Sequence, residues 1–463
     1  MLVCLCLLAG GCAGGSDQPR TEDAAPPPAP PPAKKHMRHL VKYLTVVDGD
    51  LNTRIPGARV RVGDVTHVTR HRGGTLFRVL PGTSFNVTLQ ARGYAERQLP
   101  ITFGRKTKSF TLRMYRPASQ WPMYGVTPHR TQAQTAIRLR PPFKVIWSKG
   151  LGSLLEFPAV VSDGVAYIVN YRGTVWALSM RFGSVVWRAD TGAKMASSPA
   201  IAGDTVVVHG MDGRIRVFDR SNGKLLWGYT IGSPVESSPV VHDGVDYFGS
   251  WNGAIYALDL KRHRLRWTYP SGAKITSSAA VVGSTLYIGN YAGRVLALSS
   301  RSGGLRWSAW VNGRIYGTPA VAAGSVFVPS STGDSLTAFS TGGHYRWRVA
   351  AGAYVYSSPA VWAGRVYFGS HDGYLRCVSA RTGATLWRAY AGRPISAAPT
   401  VVDGIVYYAS IHGRMHGADA KTGRQVFTFP DGQYVPVSGN AGRLLLHGYS
   451  RLYAVAPRAM LES

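Results

Sequence analysis

Cysteine is scarce in this chain of 463 residues. There are four cysteines, and Cys4, Cys6 and Cys12 all lie in the first twelve residues, so Cys377 stands alone in the remainder. This distribution excludes an internal disulfide in the body of the protein and a Cys-x-x-Cys-His haem attachment. We therefore expect stability to come from the packing of secondary structure.

Acidic residues are also few, with 23 Asp and Glu against 53 Lys and Arg and a net charge of +30. Such a surface attracts anionic partners such as acidic glycans, lipid headgroups or nucleic acid. Because no RNA- or DNA-binding motif is present, we expect no nucleic-acid partner. Two interpretations stay open: a surface that binds an anionic polymer, and arginine-rich solvated strands without a binding role.

A long amphipathic helical period is absent, whereas turn residues are plentiful, with 54 Gly and 28 Pro. Valine, tyrosine and tryptophan accompany these turns throughout the chain. Regular turns between β-branched and aromatic runs are typical of strands. The composition predicts an all-β protein.

A repeat of 40 residues dominates the chain from Trp147 onward. Tryptophans keep this spacing, and a phenylalanine occupies the next position, in the series Trp147, Trp187, Trp227, Trp267, Trp307, Trp347, Trp387 and Phe427. Glycines at 173, 213, 253, 293, 333, 373 and 413 hold the same phase. Two positions in phase over seven units indicate one repeated structural unit.

Each unit reads as four short strands, for example SSPAV, RVYFGS, YLRCVS and ATLWRAY within residues 357–390. A four-stranded sheet cannot bury both faces alone, whereas radial stacking covers each sheet with its neighbours, as in a β-propeller. Eight sets of first strands occur, and FKVIWSKG (Phe143–Gly150) precedes them all. We predict that this strand completes the last blade beside RLYAVAP (Arg451–Pro457), giving eight blades and a ring closed by its N- and C-terminal strands.

The turn-and-tryptophan segments carry a family resemblance. ALDLKRHRLRW (Ala257–Trp267) and VFDRSNGKLLW (Val217–Trp227) resemble the docking pattern of the PQQ-like (quinoprotein-like) propellers, and WPMYGVTPHRT (Trp121–Thr131) is similar to the segment that leads into them. The resemblance covers residues 119–457. It implies that the eight residues of the series at 40-residue spacing are structural and pack between adjacent blades.

The N-terminus resembles a bacterial lipoprotein signal, since residues 1–12 (MLVCLCLLAGGC) join a short apolar run to small residues and a cysteine. The run is too short to span a bilayer as a stable helix. The resemblance implies lipidation of Cys12, anchoring to a membrane and exposure in the cell envelope, on its periplasmic or extracellular face. Residues 13–37, which include APPPAPPPAKK, are typical of a semi-rigid spacer. An ordinary cleaved secretory signal is the alternative.

Residues 38–115 predict a small antiparallel β-sandwich of six or seven strands. PGARVRV (Pro56–Val62) and ARGY (Ala91–Tyr94) resemble the carboxypeptidase-regulatory-like domains of secreted proteins, which implies a spacer or adhesive module without chemistry of its own. We expect Asp48, Asp50 and Asp64 to cap turns rather than to bind a cation.

The propeller family includes dehydrogenases and non-catalytic scaffolds. The dehydrogenases have adjacent cysteines over the quinone, calcium ligands and an aspartate base, whereas this propeller has Cys377 alone. We expect its acidic residues to cap backbone in turns and docking positions, at Asp212, Asp372, Asp219, Asp259 and Asp419. We therefore predict no enzyme activity, no cofactor and no metal, with a quinoprotein dehydrogenase as the alternative.

Histidines cluster loosely near the C-terminus, at His371, His412, His416 and His447. The spacing of His412 and His416 assures no shared site on strands. We expect these side chains to face solvent in turns rather than to bind a metal.

One rim of the predicted propeller collects the turns between second and third strands and the approaches to the first strands. Exposed aromatics on a rigid ring suit the recognition of a peptide or glycan. The candidate binding residues are Tyr171, Met211, Trp251, Tyr291, Tyr316, Tyr356 and His371. The approaches to the first strands also place Glu236 on this rim. The alternative is that these side chains pack between blades or within turns.

The lipoprotein form of this fold is the outer-membrane assembly factor of the BamB type, and the chain resembles it in lipid signal, blade number and missing catalytic parts. This resemblance implies a non-catalytic scaffold that contacts envelope proteins, among them a β-barrel insertase. The alternative partner is an anionic envelope polymer, bound or sensed through the basic surface.

Overall fold

The computed structural model describes residues 38–432, 434 and 437–460. The predictions for Cys12, the signal and the proline-rich spacer lie outside these residues. Strands make up nearly all regular structure, accompanied by two short 3-10 helices, Pro117–Ser119 and Arg458–Met460. Neither helix has the length and apolarity needed to cross a membrane. The predicted all-β class is confirmed.

The first seven strands form two sheets, in the orders β4-β1-β7 and β3-β2-β5-β6. Their bounds are β1 Leu40–Asp48, β2 Arg59–Val62, β3 Val65–Val68, β4 Gly74–Val79, β5 Ser84–Gln90, β6 Arg97–Thr102 and β7 Ser109–Met114. The core of this domain follows from alternation along the strands, as in β2, where Val60 and Val62 are buried and Arg59 and Arg61 are exposed. The expectation of purely antiparallel pairing was wrong, because β1 pairs with β7 in parallel.

The repeats form eight further sheets in the described residues. Blades one to four comprise β10 Val160–Ser162, β11 Val165–Val169, β12 Thr174–Ser179, β13 Val185–Asp190; β14 Ala200–Ala202, β15 Thr205–His209, β16 Arg214–Asp219, β17 Leu225–Thr230; β18 Val240–His242, β19 Val245–Gly249, β20 Ala254–Asp259, β21 Arg264–Pro270; and β22 Ala280–Val282, β23 Thr285–Gly289, β24 Arg294–Ser299, β25 Leu305–Trp310.

Blades five to eight follow the same plan. They comprise β26 Ala320–Ala322, β27 Ser325–Ser330, β28 Ser335–Ser340, β29 Tyr345–Ala350; β30 Ala360–Trp362, β31 Arg365–Gly369, β32 Tyr374–Ser379, β33 Thr385–Tyr390; β34 Thr400–Val402, β35 Ile405–Ala409, β36 Gly413–Asp419, β37 Gln425–Gly432; and β38 Val437–Gly439, β39 Leu444–His447, β40 Arg451–Pro457. Two earlier strands, β8 Ala133–Gln134 and β9 Phe143–Gly150, join the last two of these blades.

Burial differs along each blade as radial stacking requires. Every residue of the second strand β23 is buried, because both faces of the sheet are covered by neighbouring blades. The outer strand β21 instead alternates exposed and half-buried positions. First strands begin later than predicted: the SSP of residues 357–359 precedes β30, and the Ser357 hydroxyl donates to the Gly369 carbonyl at 2.9 Å.

Closure of the ring occurs where the sequence predicts it. Strand β9 pairs antiparallel with β40, in a register that places Gly150 opposite Arg451 and Phe143 opposite Pro457. Strand β38 of this sheet also contacts β10 of blade one. The eight sheets are compatible with the predicted eight blades. The parallel pairing of β8 with β34, which adds a fifth strand to blade seven, was not predicted.

Residues 121–134, here called the lead-in segment, run along one end of the central channel. Backbone hydrogen bonds join the segment to the first strands of six blades, through Val161, Ile201, Val281, Val321, Val361 and Val401. These contacts follow the order of the blades, so the segment runs along the first strands from blade one to blade seven. The lead-in segment therefore lines one end of the central channel.

Asp50 joins the sandwich to the propeller. Its carboxylate accepts hydrogen bonds from Asn440 Nδ2 at 2.8 Å and from Gln120 Nε2 at 2.9 Å. Burial is the main cause that raises the pKa of Asp50 to about 6. Turn capping, which we expected of both Asp48 and Asp50, is observed for Asp48. Its Oδ1 accepts the backbone N–H groups of Asp50 and Leu51 at 2.9 and 3.0 Å.

Candidate binding site at the channel mouth

The tryptophans of the 40-residue series link neighbouring blades. Trp147, Trp187, Trp267, Trp307, Trp347 and Trp387 each donate the indole N–H to a carbonyl in the turn before the last strand of the next blade, at 2.8–3.3 Å. Glycine packs directly under most of these rings, and a Cβ at Gly183 would lie 2.6 Å from Trp147. Trp227 stacks on His263, and Phe427 meets Phe143 edge-on at 5.4 Å. These positions hold blades together rather than face a ligand.

Four of the predicted rim residues form a continuous chain of rings. Tyr291 lies 4.4 Å from Tyr316, Tyr316 lies 5.0 Å from Tyr356, and Tyr356 lies 4.7 Å from His371, measured between ring centroids. These residues come from consecutive blades that the fold places side by side. The structure therefore brings together an aromatic arc along the channel mouth.

Trp251 extends this arc through a cation. Lys274 Nζ lies 3.2 Å from the centroid of the Trp251 ring and 5.0 Å from that of Tyr291. The Trp251 indole also donates a hydrogen bond to Glu236 Oε2 at 3.0 Å. With 37% of its surface exposed, Trp251 is both anchored and accessible.

Tyr171 and Met211 lie farther round the rim. Lys194 Nζ sits 5.6 Å above the Tyr171 ring, and the Met211 N–H donates to the Lys194 carbonyl at 2.9 Å. Within the described residues, no ring contact joins Tyr171 to the arc. These two predicted residues therefore belong to the rim but not to the continuous aromatic surface.

Sequence reasoning missed Tyr354, whose ring lies 5.8 Å from Tyr356 and 6.2 Å from His371. Tyr354 is 48% exposed and is the most open ring of this group. Its position in the approach to a first strand, two residues before Tyr356, was the available signal. Tyr354 therefore joins the aromatic arc.

A row of hydroxyl groups links blades two to six beside the channel. The N–H groups of Ser198, Ser238, Ser278 and Thr318 donate to the side-chain hydroxyls of Ser238, Ser278, Thr318 and Ser358 respectively, at 2.8–3.2 Å. Each bond spans 40 residues and therefore joins equivalent positions of adjacent blades. The recurring Ser-Ser and Thr-Pro dipeptides were the sequence signal for this row.

The channel mouth opens into a cavity of about 230 Å³. Its polar lining includes Glu156, Glu236, Thr276, Tyr316 and Tyr356. Tyr124 of the lead-in segment also contributes to the wall, and its hydroxyl donates to Ser358 Oγ at 3.0 Å.

Arg130 anchors the lead-in segment to neighbouring blades. Its buried guanidinium donates to the carbonyls of Ala279 at 2.9 Å, Pro239 at 2.8 Å and Ser238 at 3.2 Å, and also to that of Tyr124. Burial lowers the pKa of Arg130 to about 10. Because carbonyls occupy its donors, Arg130 fixes the position of the lead-in segment.

Two glutamates line the cavity of this basic protein. Burial, with the nearby charge of Glu236 as a second cause, raises the pKa of Glu156 to about 7. Burial likewise raises the pKa of Glu236, although the Trp251 N–H and the charge of Lys274 oppose this shift. Both carboxylates are thus costly to ionise where they stand.

The histidine prediction was partly wrong. His416 is buried on β36 and stacks on Tyr408 at 5.1 Å, and His447 is buried at the end of β39, where its Nε2 accepts the Ala159 N–H at 3.0 Å. Both lie within blade strands, whose side chains are covered by the adjacent sheets. His412 is exposed in its turn. His371 is half-buried, with Nε2 lying 2.6 Å from Ser396 Oγ at the cavity.

The channel mouth does not fit a quinone with calcium. Pyrroloquinoline quinone is itself a polycarboxylate, so beside Glu156 and Glu236 it would need a bound cation to bridge the carboxyl groups. Among the residues in the described ranges, no three His, Cys, Asp or Glu side chains converge to hold a metal ion. Cys377 is buried on β32, and burial raises its thiol pKa to about 12.

Solved structures share this fold at low sequence identity. BamB from Moraxella catarrhalis aligns with a TM-score of 0.60 and 18% identity, over 69% of this chain and 98% of that one. Quinohemoprotein alcohol dehydrogenase from Comamonas testosteroni aligns with a TM-score of 0.63 and 14% identity, over 73% and 80%. A europium-containing methanol dehydrogenase gives 0.60 and 12% identity, over 73% and 98%. These likenesses show a PQQ-like propeller fold.

Sequence comparison identifies the family. No curated protein sequence matches this chain. The family described as beta-alanine-activating enzyme, beta-propeller, matches residues 157–434, which is more than half of the chain. The protein therefore belongs to the beta-propeller family of the beta-alanine-activating enzyme.

Proposed function

We propose that this protein is a non-catalytic lipoprotein of the cell envelope whose propeller is a scaffold for binding other proteins. Lipidation at Cys12 would anchor the chain to a membrane, and residues 13–37 would hold the folded part away from the surface. The role would be similar to that of BamB-type factors in outer-membrane protein assembly.

The observation that carries this proposal is the aromatic arc on the rim. Tyrosine and tryptophan supply large contact areas at low entropy cost and are enriched in the energetic centres of protein interfaces. Here Trp251, Tyr354 and their neighbours stand on short turns of a rigid ring, so little order has to be gained on binding. The fold shared with BamB also supports a scaffold.

The proposal of a non-catalytic role rests on the poor fit of the channel mouth to a quinone. The dehydrogenases among the structural neighbours make an enzyme the competing interpretation. It predicts that purified protein retains a quinone and oxidises an alcohol with an artificial electron acceptor. We expect neither quinone retention nor alcohol oxidation, and either result would overturn the proposal.

Site-specific photo-cross-linking in cells tests the binding surface. A benzophenone amino acid replaces Tyr354 on the rim or, as a control, Phe182, which is 67% exposed in a turn at the opposite end of the propeller. We expect light-dependent adducts with envelope proteins, including components of β-barrel insertion, from position 354 and not from 182. Equal adducts from both positions, or none from 354, would overturn the assignment of the rim.

A second candidate function is the binding of an anionic envelope polymer. Three basic side chains favour it, since Lys194, Lys274 and Arg314 occupy equivalent positions on the rim in different blades. Polymer binding should weaken steeply as salt rises from low to physiological concentration, whereas a contact through aromatic anchors should change little. Adducts with polymer alone, lost at higher salt, would favour this candidate.

A further inference from the structure

We infer that the cavity at the channel mouth receives the cationic side chain of a lysine or arginine from a bound partner, held between Glu156, Glu236 and the tyrosine walls. This inference rests on the proposed scaffold function and names the chemistry by which the scaffold would recognise a partner. The protein carries a net positive charge, and yet the cavity at its channel mouth would bind a cation.

The first argument is charge. Within the described residues, Glu156 accepts no hydrogen bond and forms no ion pair, although the chain carries a net charge of +30. Among the described residues, the charge that acts on Glu156 is that of Glu236, which has the same sign. Lys274, whose charge acts on Glu236, is held over the Trp251 ring. A cation entering the cavity would relieve both carboxylates.

The second argument is the chemistry of the walls. Tyr316 and Tyr356 offer ring faces and edges beside the carboxylates, as in sites that recognise ammonium or guanidinium groups. Thr276 is only 8% exposed, and its hydroxyl, near that of Tyr291, makes no hydrogen bond of acceptable geometry to a described residue. This hydroxyl can therefore accept a hydrogen bond from a donor on a bound side chain.

The third argument separates an organic cation from a metal ion. Two carboxylates alone do not complete a typical divalent-cation site, and no third His, Cys, Asp or Glu of the described chain joins them. The cavity of about 230 Å³ instead has room for a side chain.

Binding of model side chains to the full chain tests the inference. The probes are N-acetyl-lysine methylamide and N-acetyl-arginine methylamide, followed by isothermal titration calorimetry. N-acetyl-norleucine methylamide controls for shape without charge, and n-butylammonium represents a free amine. We expect saturable binding of the cationic probes and none of the norleucine probe.

Two variants locate the site. Glu156→Gln should weaken binding of the lysine probe about tenfold or more, because a charge-assisted contact is lost. Asp204→Asn removes the same charge from a fully exposed carboxylate in a turn at the far end of blade two, and should leave binding unchanged. If both variants lose affinity for the lysine probe equally, the effect is due to the net charge of the protein, and the inference is overturned.

The remaining outcomes separate this inference from the proposed function. If Tyr354 cross-links to a partner while the lysine probe does not bind, the cation site is wrong and the scaffold stands. If the probe binds but no partner cross-links, the scaffold is wrong. Butylammonium binding as tightly as the lysine probe, or calcium binding lost in Glu156→Gln, would overturn the assignment to a partner side chain.

Discussion

The indole of Trp227 stacks on the imidazole of His263, with ring centroids 4.2 Å apart and the planes 25° from parallel. At the equivalent place under other tryptophans of the series the chain has glycine, as at Gly223 and Gly303. His263 adopts the glycine backbone conformation, with φ of 55°. A side chain there is strained, and stacking on the indole offsets that strain.

Substitutions at this position separate strain from stacking. His263→Ala keeps the left-handed backbone and loses the ring contact, so we expect it to lower the free energy of unfolding by about 1–2 kcal/mol. His263→Gly loses the contact but also removes the strain, so its effect should be close to zero. Urea unfolding of both variants measures the difference. An alanine variant as stable as the glycine variant would contradict this account.

Glycine under the other tryptophans makes a stronger prediction. A Cβ at Gly303, where φ is 74°, would lie 2.7 Å from the Trp267 ring, whereas one at Gly304 would meet only Ser302 Oγ at 3.4 Å. Gly303→Ala should therefore destabilise the protein by about 2–4 kcal/mol. Gly304→Ala, its neighbour in the same turn, should change stability by less than about 1 kcal/mol. Thermal unfolding of the pair provides the measurement, and equal effects would refute the packing argument.

Much of this architecture was predictable because it repeats. The spacing of Trp147 to Phe427 predicted where each blade begins and ends. The strand at 143–150 precedes the first complete set of strands, so it predicted that the ring closes by pairing of this strand with the last, incomplete set. The rim aromatics also followed from phase, because turns of equal position meet on one face of a ring. The burial of His416 was not predictable from its strand. Where both faces of a sheet are covered, the sequence does not alternate between polar and apolar residues, so it does not show which side chains are buried.

The contacts of the lead-in segment and the cavity were not predicted. The resemblance of Trp121–Thr131 indicated an entry segment, but its contacts with six blades depend on a ring of first strands that exists only after the propeller closes. Glu156 and Glu236 stand 80 residues apart at equivalent repeat positions. Their meeting in one cavity depends on the channel, which no local pattern specifies.

Arg130 provides a test of the lead-in segment. Its guanidinium donates to four buried carbonyls, so Arg130→Met would leave these acceptors without this donor. We expect the free energy of unfolding to fall by about 3–5 kcal/mol. The control is Arg138→Met, because Arg138 lies just beyond the segment, is exposed and donates to the carbonyls of Thr135 and Ile137. A change of less than about 1 kcal/mol is expected there, and a similar change at Arg130 would contradict its anchoring role.

Glu156→Gln should stabilise the protein in a pH-dependent way. The pKa of Glu156 rises from 4.5 to about 7 on folding, chiefly through burial. Between these values the folded state binds more protons than the unfolded state, so the stability contributed by this group falls as pH rises from about 4.5 through about 7. The glutamine variant lacks this loss. At pH 8 it should exceed the wild type by on the order of 1–3 kcal/mol, whereas near pH 4 the two should coincide.

The control for this experiment is Glu96→Gln, because Glu96 is exposed on the sandwich and meets Gln90 at 2.8 Å. Its substitution should shift the urea midpoint by the same small amount at pH 4 and pH 8. A gain for Glu156→Gln that is equal at both pH values would show that the glutamine packs better, not that charge is relieved. A gain confined to high pH would identify the ionised carboxylate in the channel as the destabilising group, because protonation is the only change that the two conditions impose on it.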